Sequence, residues 1–310
     1  MNKLKCAVIG TGYLGKFHAQ KYASLPDCEL VAVVDINEAA AQAVAKAHGA
    51  NALTDYHELL NGAVDAVSIV VPTTLHYQVA KDFLAAGVHV LVEKPITVTV
   101  AEADELIALA KANSLVLQVG HLERFNPAVL GLDTDEKPLF IESHRLSPFN
   151  PRANDVSVVL DLMIHDIDII LALVDSEVER IDASGTAVLT QGTDIANARL
   201  QFKNGCVANV TASRISLKLE RKMRLFRPSS YISVDFQNRV LTKHRTGSKE
   251  MFPGIPEIET HESTFESGDA LLEEIKHFVA CIQTGSVPLV SGEAGRRALA
   301  TAIRITELLA

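Results

Sequence analysis

The sequence predicts an α/β protein in which a doubly wound parallel sheet is followed by an α+β domain with a mostly antiparallel, open sheet. Residues 1–121 alternate strand patterns with helix patterns, and this alternation requires a parallel sheet covered on both faces. Beyond residue 121, one long helix is followed by consecutive short strands without helices between them, which is typical of an antiparallel sheet. We therefore expect two domains, at 1–121 and 122–310.

The elements of the first domain follow from apolar runs and from the turn signals that bound them. Strands are predicted at 6–9, 30–34, 66–71, 88–92 and 115–119, the last of which we count as the sixth strand of the sheet. Helices are predicted at 16–23, 38–48, 75–86 and 100–112, with a short helix that ends at residue 60. Thr99 and Glu102 predict a capping box before the helix at 100–112. In such sheets ligands bind beyond the carboxyl ends of the strands, so binding residues should follow each strand.

A glycine-rich turn follows the first strand. Gly10, Gly12 and Gly15 have G-x-G-x-x-G spacing: the first permits a tight turn, the second lets a pyrophosphate approach the backbone, and the third lets helix and strand pack closely. The phosphates would lie on the free N–H groups of the helix N-terminus. Asp35, twenty residues past Gly15, is placed to bind a ribose and to repel a 2′-phosphate, which favours NAD over NADP. The alternative is a tight turn followed by an aspartate that caps a strand.

We predict a Rossmann domain whose NAD contacts lie in the glycine turn and just after the strands. These contacts are Gly10, Gly12, Tyr13, Leu14, Gly15, Asp35, Pro72, Thr73, His76, Glu93 and Lys94. Lys94, fixed by the proline that follows it, is the first of them that can donate to a substrate oxygen. To act as a base near neutral pH, a lysine needs its pKa lowered by roughly three units from ~10.4, so we favour a donor. Standing alone, Glu93-Lys94-Pro95 would be better explained as a surface turn.

Composition limits the partners of the protein. The 310 residues are 48% hydrophobic and 22% charged, which is typical of a globular, soluble chain, and the net charge of −9 argues against nucleic acid. The four cysteines show no C-x-x-C pair and no zinc spacing, so we expect reduced thiols in a cytoplasmic protein. The chain enters a strand within a few residues, and no apolar run approaches the length of a bilayer, so we expect neither a signal peptide nor a membrane partner.

The second domain contains one long helix and seven strand patterns. The helix is predicted at 156–174, and the strands at 140–147, 178–188, 195–202, 206–215, 222–227, 231–236 and 239–243. The segment 245–267 is polar and spaced by proline and glycine, so we interpret it as a long loop. Two final helices, at 270–283 and 293–309, are candidates to pack back on the first domain.

The long helix carries the second group of candidate site residues. Asp161, His165 and Asp168 lie at i, i+4 and i+7 and project within one narrow wedge of an otherwise apolar helix. Between residues 152 and 180 there is no lysine or arginine to pair with them. Such a polar stripe is costly unless it lines a cavity or finds partners across one. A structural Asp–His–Asp network and a metal site are the alternatives, and we expect no metal because a dinucleotide fold with a lysine donor does not need one.

In order and spacing, these motifs resemble those of the Gfo/Idh/MocA oxidoreductases, and the resemblance covers the whole chain. It rests on the glycine turn, Asp35, Pro72-Thr73-Thr74-Leu75-His76, Glu93-Lys94-Pro95 and Asp161-x-x-x-His165. It implies an NAD-dependent dehydrogenase that acts on CH–OH groups, with a cis Lys94–Pro95 bond and with a homo-oligomer, a dimer or tetramer, assembled through the open sheet. One departure is that the glycine-rich lead-in to the long helix is replaced here by residues 157–160, which leaves the geometry of the helix entry open.

Within that family, the segments 120–127 and 161–168 resemble most the branch that oxidises C3 of a UDP-N-acetylhexosamine. The oxidation of a secondary alcohol needs a base for the hydroxyl proton, and a histidine, with an ordinary pKa near ~6.5, suits this task. We expect His165 to be that base, Lys94 to bond the developing alkoxide, and Asp161 to orient the sugar or the imidazole. The predicted catalytic residues are therefore Lys94, His165 and Asp161.

A UDP-sugar also needs cations for its diphosphate, and arginine suits phosphate best. Arg124 and Arg152 are the candidates, although both are equally well interpreted as surface arginines paired with carboxylates such as Glu123 and Asp155. The predicted substrate contacts are Lys94, Arg124, Asn126, Arg152, Asp161, His165 and Asp168. Three alternatives remain open: a dehydrogenase of a free sugar or a polyol such as inositol, an enzyme that uses tightly bound NAD transiently, and a non-enzymatic NAD-dependent sensor.

Overall fold

The structure, a computed structural model, describes residues 3–133, 136–150, 156–228, 230–266 and 268–309. The chain divides into two compact units. The first comprises residues 1–122 and 269–299, and the second comprises 123–268 and 300–310. Each unit is built on one β-sheet.

The first unit contains the six-stranded parallel sheet that the sequence predicts. Its strands are β1 (Leu4–Ile9), β2 (Cys28–Val34), β3 (Asn51–Leu53), β4 (Ala66–Ile69), β5 (His89–Glu93) and β6 (Leu117–Gly120). Their order is β3-β2-β1-β4-β5-β6, and among the described residues every neighbouring pair of this sheet runs parallel. The strand β3 has only three residues, none of them fully buried, so no apolar run marks its position in the sequence. The doubly wound fold is confirmed.

The crossovers of this sheet are helical. They include α1 (Gly15–Ser24), α2 (Glu38–His48), α3 (Thr73–Ala85) and α4 (Val100–Ala112), with a 3-10 turn at Tyr56–Leu59. The start of α4 is the predicted capping box: Thr99 accepts a hydrogen bond from the Glu102 amide at 3.2 Å, and the Glu102 carboxylate accepts one from the Thr99 amide at 2.9 Å. Local sequence signals therefore set the helix boundaries in this unit closely.

The second unit contains an eight-stranded, mostly antiparallel sheet. After a short helix α5 (Pro127–Leu130), its strands are β7 (Phe140–Leu146), β8 (Val178–Thr186), β9 (Ile195–Phe202), β10 (Val207–Ser213), β11 (Glu220–Phe226), β12 (Ser230–Asp235), β13 (Val240–Phe252) and β14 (Ile255–Thr264). The order is β14-β13-β12-β11-β7-β10-β9-β8, and β7–β10 is the one parallel pair among the described residues of this sheet. The α+β prediction for this half is confirmed.

The prediction of a long loop at 245–267 is wrong for the described residues of that segment. Most of this segment belongs to β13 and β14, which form a long hairpin at the edge of the sheet, with Gly254 at φ +76° in the turn. Most side chains of the hairpin are exposed, so its sequence lacks the alternation of a half-buried strand. Proline is tolerated on an edge strand, and Pro256 lies on β14. Polar composition therefore indicated a loop where an exposed edge hairpin lies.

The long helix of the second unit has two parts. A π-helical turn at Val159–Met163 leads into α6 (Ile164–Val174). The Ile164 amide bonds the Val159 carbonyl, five residues earlier, which is the wider ring of a π-turn. This turn replaces the single regular helix predicted at 156–174, in the part of that range that the structure describes.

Two helices close the chain, α7 (Ala270–Thr284) and α8 (Gly292–Leu308). The helix α7 belongs to the first unit and packs against α1, where Tyr22 and Phe278 are among the fully buried core residues. All four cysteines are buried free thiols, as the sequence predicts. Among the helices of the described segments, none combines the length and the hydropathy that a bilayer crossing requires.

Candidate active site

The glycine turn lies between β1 and α1, and its three glycines have different surroundings. Gly10 has φ +95°, and a Cβ there would lie 2.5 Å from the Val70 carbonyl oxygen. A Cβ on Gly15 would collide with the carbonyl oxygen of Gly10. Around Gly12, in contrast, a Cβ would meet nothing within 4 Å. The turn is therefore tight at its first glycine, closely packed at its third, and open at its second, which is the space that a bound pyrophosphate would need.

Asp35, at the end of β2, is tied to this turn. Its Oδ2 accepts hydrogen bonds from the Thr11 amide at 2.7 Å and the Thr11 hydroxyl at 2.8 Å, and its Oδ1 accepts one from the Asn37 amide at 2.9 Å. Burial opposes ionisation of Asp35, but these hydrogen bonds outweigh it and lower the pKa of the carboxyl below its ordinary value. An ionised acceptor suits ribose hydroxyls and disfavours a phosphate.

Two other predicted cofactor contacts, Tyr13 and Leu14, lie exposed in the turn. The Lys16 ammonium lies 5.2 Å from the centroid of the Tyr13 ring and 5.2 Å from that of Phe17, a cation–π arrangement. This arrangement holds a positive charge against two aromatic rings at the first turn of α1. The roles of Tyr13 and Leu14 stay predictions.

The tripeptide Glu93-Lys94-Pro95 ends β5, and the Lys94–Pro95 peptide bond is cis, as the family resemblance implies. The Glu93 Oε1 lies 3.2 Å from Nε2 of His18, and its Oε2 accepts a hydrogen bond from the Lys94 amide at 3.2 Å. Gly120 on β6 leaves room for the Glu93 carboxylate, since a Cβ at position 120 would lie 2.9 Å from the carboxyl carbon of Glu93. Burial alone would raise the pKa of Glu93. The hydrogen bond with His18 and the charges of His18 and Lys94 outweigh burial, so the pKa of Glu93 is lowered.

The predicted contacts after β4 lie at the start of α3. Pro72 precedes the helix, Thr73 is its first residue, and His76 lies in its first turn. The His76 ring is 1% exposed, with Nδ1 2.9 Å from the Pro95 carbonyl oxygen and Nε2 2.9 Å from that of Val71. Burial lowers the pKa of His76, although the two carbonyls act in the opposite direction. This ring thus connects the turn after β4 to the turn after β5.

The first unit also buries a carboxyl group that the sequence analysis missed. Glu274 on α7 is fully buried, and neither of its carboxyl oxygens has a hydrogen-bond partner among the described residues. Gln118 donates to the Glu274 backbone oxygen at 3.1 Å. Burial, followed by the negative charge of Glu93, raises the pKa of Glu274 well above its ordinary value and so favours the protonated form of this carboxyl. Its only signal in the sequence is a glutamate on the apolar face of a helix.

In the second unit, the three polar residues of the long helix have different settings. Asp161 lies in the π-helical turn, and His165 lies in the first turn of α6; both are half-buried. Asp168 is 2% exposed, and its Oδ2 lies 3.5 Å from Nη1 of Arg124, whose side chain is 12% exposed. Two predicted substrate contacts therefore pair with each other. The alternative interpretation of Arg124, a surface arginine paired with Glu123, is therefore wrong, because Arg124 is largely buried and pairs with Asp168.

A buried arginine next to this helix was missed. Arg145 on β7 donates to both oxygens of Asp166, at 3.1 and 2.7 Å, and to Glu123 Oε1 at 2.9 Å, and its guanidinium lies 5.6 Å from the centroid of the Phe236 ring. Arg145 and Asp166 are almost completely buried. The sequence has no lysine or arginine between residues 152 and 180, whereas Arg145 and Arg124 reach the helix from other elements of the second unit.

The remaining predicted substrate contacts are Asn126 and Arg152. The Asn126 Oδ1 accepts a hydrogen bond from the Ala128 amide at 3.1 Å and so caps α5, while Nδ2 donates to the Phe236 carbonyl at 3.0 Å. Arg152, and Asp155 with it, lie outside the described residues. Within the described segments, no three histidine, cysteine, aspartate or glutamate side chains are grouped closely enough to hold a metal ion.

The parallel sheet, the open glycine turn and the ionised Asp35 together define a dinucleotide-binding oxidoreductase fold. Residues 4–121 match the model of the oxidoreductase family with an NAD-binding Rossmann fold, and residues 137–226 match the Gfo/Idh/MocA C-terminal domain. The chain belongs to the Gfo/Idh/MocA family. The predicted family, fold class and NAD-binding oxidoreductase class are thereby confirmed.

Similar proteins in this family act on sugars and inositols. The chain is 41% identical, over 98% of its length and 97% of the relative's, to a UDP-N-acetylglucosamine 3-dehydrogenase of Acidithiobacillus ferrooxidans. The crystal structure of a UDP-N-acetylglucosamine 3-dehydrogenase from that organism matches at a TM-score of 0.94 and 40% identity, covering 100% of this chain and 98% of that one. A scyllo-inositol 2-dehydrogenase (NAD(+)) of Bacillus subtilis is 28% identical over 94% of this chain and 89% of that protein.

Proposed function

We propose that the protein is an NAD-dependent dehydrogenase that oxidises the C3 hydroxyl of a UDP-N-acetylhexosamine to the 3-keto sugar. The observation that carries this proposal is the similarity, from end to end of both chains, to a UDP-N-acetylglucosamine 3-dehydrogenase. The motifs Glu93-Lys94-Pro95 and Asp161-x-x-x-His165 agree with it. The inositol dehydrogenases are more distant, so a free polyol is the second candidate substrate.

The residues of the first unit fit NAD. The amides of the glycine turn would hold the diphosphate at Gly12, and the ionised Asp35 would accept hydrogen bonds from the adenosine ribose. Pro72, Thr73 and Lys94, which lie just beyond strand ends, are the proposed contacts at the other end of the cofactor. When bound, NAD supplies the acceptor for the two electrons that leave the sugar.

We assign the proton chemistry to residues of the chain. His165 takes the proton of the sugar hydroxyl, a role that typically contributes on the order of 10²–10⁴ in rate. Lys94 donates a hydrogen bond to the same oxygen as negative charge develops on it, and Asp161 orients the sugar or the imidazole. The oxidation needs no other base, because His165 accepts the hydroxyl proton while the hydride goes to NAD.

Arg124 is the described candidate for the substrate diphosphate. Its 3.5 Å separation from Asp168 exceeds the ~2.7–2.9 Å of a strong charge-assisted hydrogen bond, so the guanidinium keeps capacity for an anion. Arg152 and Asn126 stay proposed contacts. We also propose that the predicted domain 122–310, apart from residues 269–299 of the first unit, serves for substrate binding and oligomerisation. In this proposal it assembles as a dimer or tetramer through its open sheet, and the protein works in the cytoplasm.

The test is an oxidation assay with purified protein and NAD. UDP-N-acetylglucosamine, N-acetylglucosamine, glucose and myo-inositol are each supplied, and reduced nicotinamide is followed by its absorbance. We expect turnover of the UDP-sugar with a kcat/KM at least ~100-fold above that of the free sugars, since tenfold corresponds to ~1.4 kcal/mol and a diphosphate offers several charge-assisted bonds.

Other outcomes of this assay point to other functions. Equal efficiency with inositol or glucose would replace the nucleotide-sugar assignment by a general polyol dehydrogenase. NAD that co-purifies, with conversion of the sugar but no net reduced cofactor, would indicate transient use of the cofactor. Binding of NAD without turnover of any sugar would favour a sensor.

A further inference from the structure

The turn that carries Lys94 is held from two sides by buried histidines. His18 projects from α1 and is 0% exposed, and His76 projects from α3 and is 1% exposed. We refer to His18 and His76 together as the histidine clamp. Both belong to the first unit, as does the turn that they contact. Buried imidazoles are costly unless their nitrogens find partners, so their contacts carry information about what they hold.

His18 acts on the residue before Lys94. Its Nε2 lies 3.2 Å from Oε1 of Glu93, and Oε2 of the same carboxylate accepts the Lys94 backbone amide at 3.2 Å. The carboxylate is enclosed, because Gly120 approaches so closely that a Cβ there would lie 2.9–3.0 Å from its three terminal atoms. The orientation of the Lys94 peptide is therefore fixed, through Glu93, by a side chain of the helix that begins at the glycine turn.

His76 acts on the residue after Lys94. Its Nδ1 lies 2.9 Å from the Pro95 carbonyl oxygen, and its Nε2 lies 2.9 Å from the Val71 carbonyl oxygen. Whichever tautomer is present, both ring nitrogens face backbone carbonyls, and neither faces outward toward a ligand. His76 therefore lies between the turn after β4 and the turn after β5, and as a neutral ring it donates to one of the two carbonyls, to that of Pro95 when Nδ1 carries the proton. No ring nitrogen is left for the cofactor contact that the sequence predicts.

From these contacts we infer that His18 and His76 are positioning residues for Lys94. The inference rests on the proposed function, in which Lys94 donates to the reacting oxygen. The clamp fixes the residues on both sides of Lys94, so the lysine stem starts from a defined backbone position. A displacement of about 1 Å at a reacting group can cost on the order of 10²-fold in rate. Loss of either histidine should therefore lower kcat while the binding of NAD is retained.

The kinetic test compares apolar and conservative variants with a matched control. His76→Leu and His18→Leu remove the clamp bonds, whereas His76→Gln and His18→Gln keep a donor of similar reach. His89 provides the control: it lies at the opposite end of β5, is partly buried, and accepts a hydrogen bond from the Val116 amide at 2.9 Å. His89→Leu should thus cost stability like the clamp variants without moving Lys94.

We expect kcat to fall about 10–100-fold in each leucine variant of the clamp and less in the glutamine variants, with the dissociation constant of NAD within about twofold of wild type. His89→Leu should keep its kcat. If the His76 variants weaken NAD binding tenfold or more at unchanged kcat, His76 contacts the cofactor and the inference is overturned. It is equally overturned if His89→Leu lowers kcat as much as the clamp variants do.

A readout without turnover separates this inference from the proposed function. Lysine amines are labelled by reductive ¹³C-methylation, and the Lys94 signal is identified by its absence in Lys94→Ala. The signal should shift or broaden in the clamp variants and stay in place in His89→Leu. An unmoved signal in His18→Leu and His76→Leu would refute the clamp even if no sugar is turned over, whereas full turnover by Lys94→Ala would refute only the catalytic role of Lys94.

Discussion

The buried carboxyl of Glu274 makes the stability of the first unit depend on pH, and Glu274→Gln tests this directly. Glutamine has the same shape but no proton to lose. In the folded protein, burial raises the pKa of Glu274 well above its ordinary value, so the folded state binds this proton more tightly than the unfolded chain does. The stabilisation is fully present below the unfolded pKa of ~4.3 and is lost as pH rises toward the folded pKa.

The size of the effect follows from linkage. Between the unfolded and the folded pKa, wild type loses ~1.4 kcal/mol of unfolding free energy per pH unit relative to the glutamine variant. Because Glu274 is 0% exposed, solvent does not screen this term. The unfolding free energy of the variant, relative to that of wild type, should therefore increase as the pH rises from 5, until the folded carboxyl ionises.

The assay is urea unfolding of the apo-protein at several pH values between 5 and 8, followed by far-UV circular dichroism because the chain has no tryptophan. Glu273→Gln is the matched control: it lies next to Glu274 on α7 but is exposed and paired with Lys276 at 2.7 Å. That variant should differ from wild type by a constant amount of less than ~1 kcal/mol. If wild type and Glu274→Gln give parallel curves over this pH range, the carboxyl is not a buried neutral acid and the reasoning is refuted.

Four further changes test the candidate site. Gly12→Ala should weaken NAD binding at least ~10-fold without a loss of stability, whereas Gly15→Ala should destabilise the fold, as thermal unfolding and NAD titration will show. Asp35→Ala should reduce the preference for NAD over NADP, measured as the ratio of the two kcat/KM values. Arg145→Met should cost ~3–5 kcal/mol in urea unfolding, because the buried Asp166 carboxylate loses its cation and Glu123 keeps only Arg221, at 3.4 Å. His165→Ala should lose most turnover, ~10²-fold or more, at nearly unchanged NAD affinity; near-native turnover would remove it as the base.

The first sheet could be predicted from the sequence because its strands are buried and its helices are bounded locally. Runs such as Ala66–Ile69 are buried throughout, and the capping pair Thr99 and Glu102 fixes a helix start. The short strand Asn51–Leu53 was not predicted, because three exposed or partly exposed residues form no apolar pattern. The hairpin of β13 and β14 was not predicted for a related reason. At an exposed edge of a sheet, residues can be polar on both faces, so they show no strand alternation.

The candidate site was predictable where a motif is local and not where it depends on distant partners. Glu93-Lys94-Pro95 and the Asp161–His165 spacing are visible within a few residues of sequence. The pairing of Asp166 with Arg145 joins residues 21 positions apart, and the contact of His18 with Glu93 spans 75 positions. Such partners are set by the order of the strands, which no local spacing encodes.

The edge strand β14 has a consequence for association between molecules. A free edge presents unpaired backbone groups to any other extended chain, and proteins avoid unwanted pairing there with charge and proline. On β14, Glu257 and Glu259 point to the same side, and Pro256 lacks an amide donor. If two copies of β14 paired edge to edge, their glutamates would lie close together, and the ladder would lack a backbone N–H donor at Pro256. This edge of the sheet therefore resists self-templated aggregation.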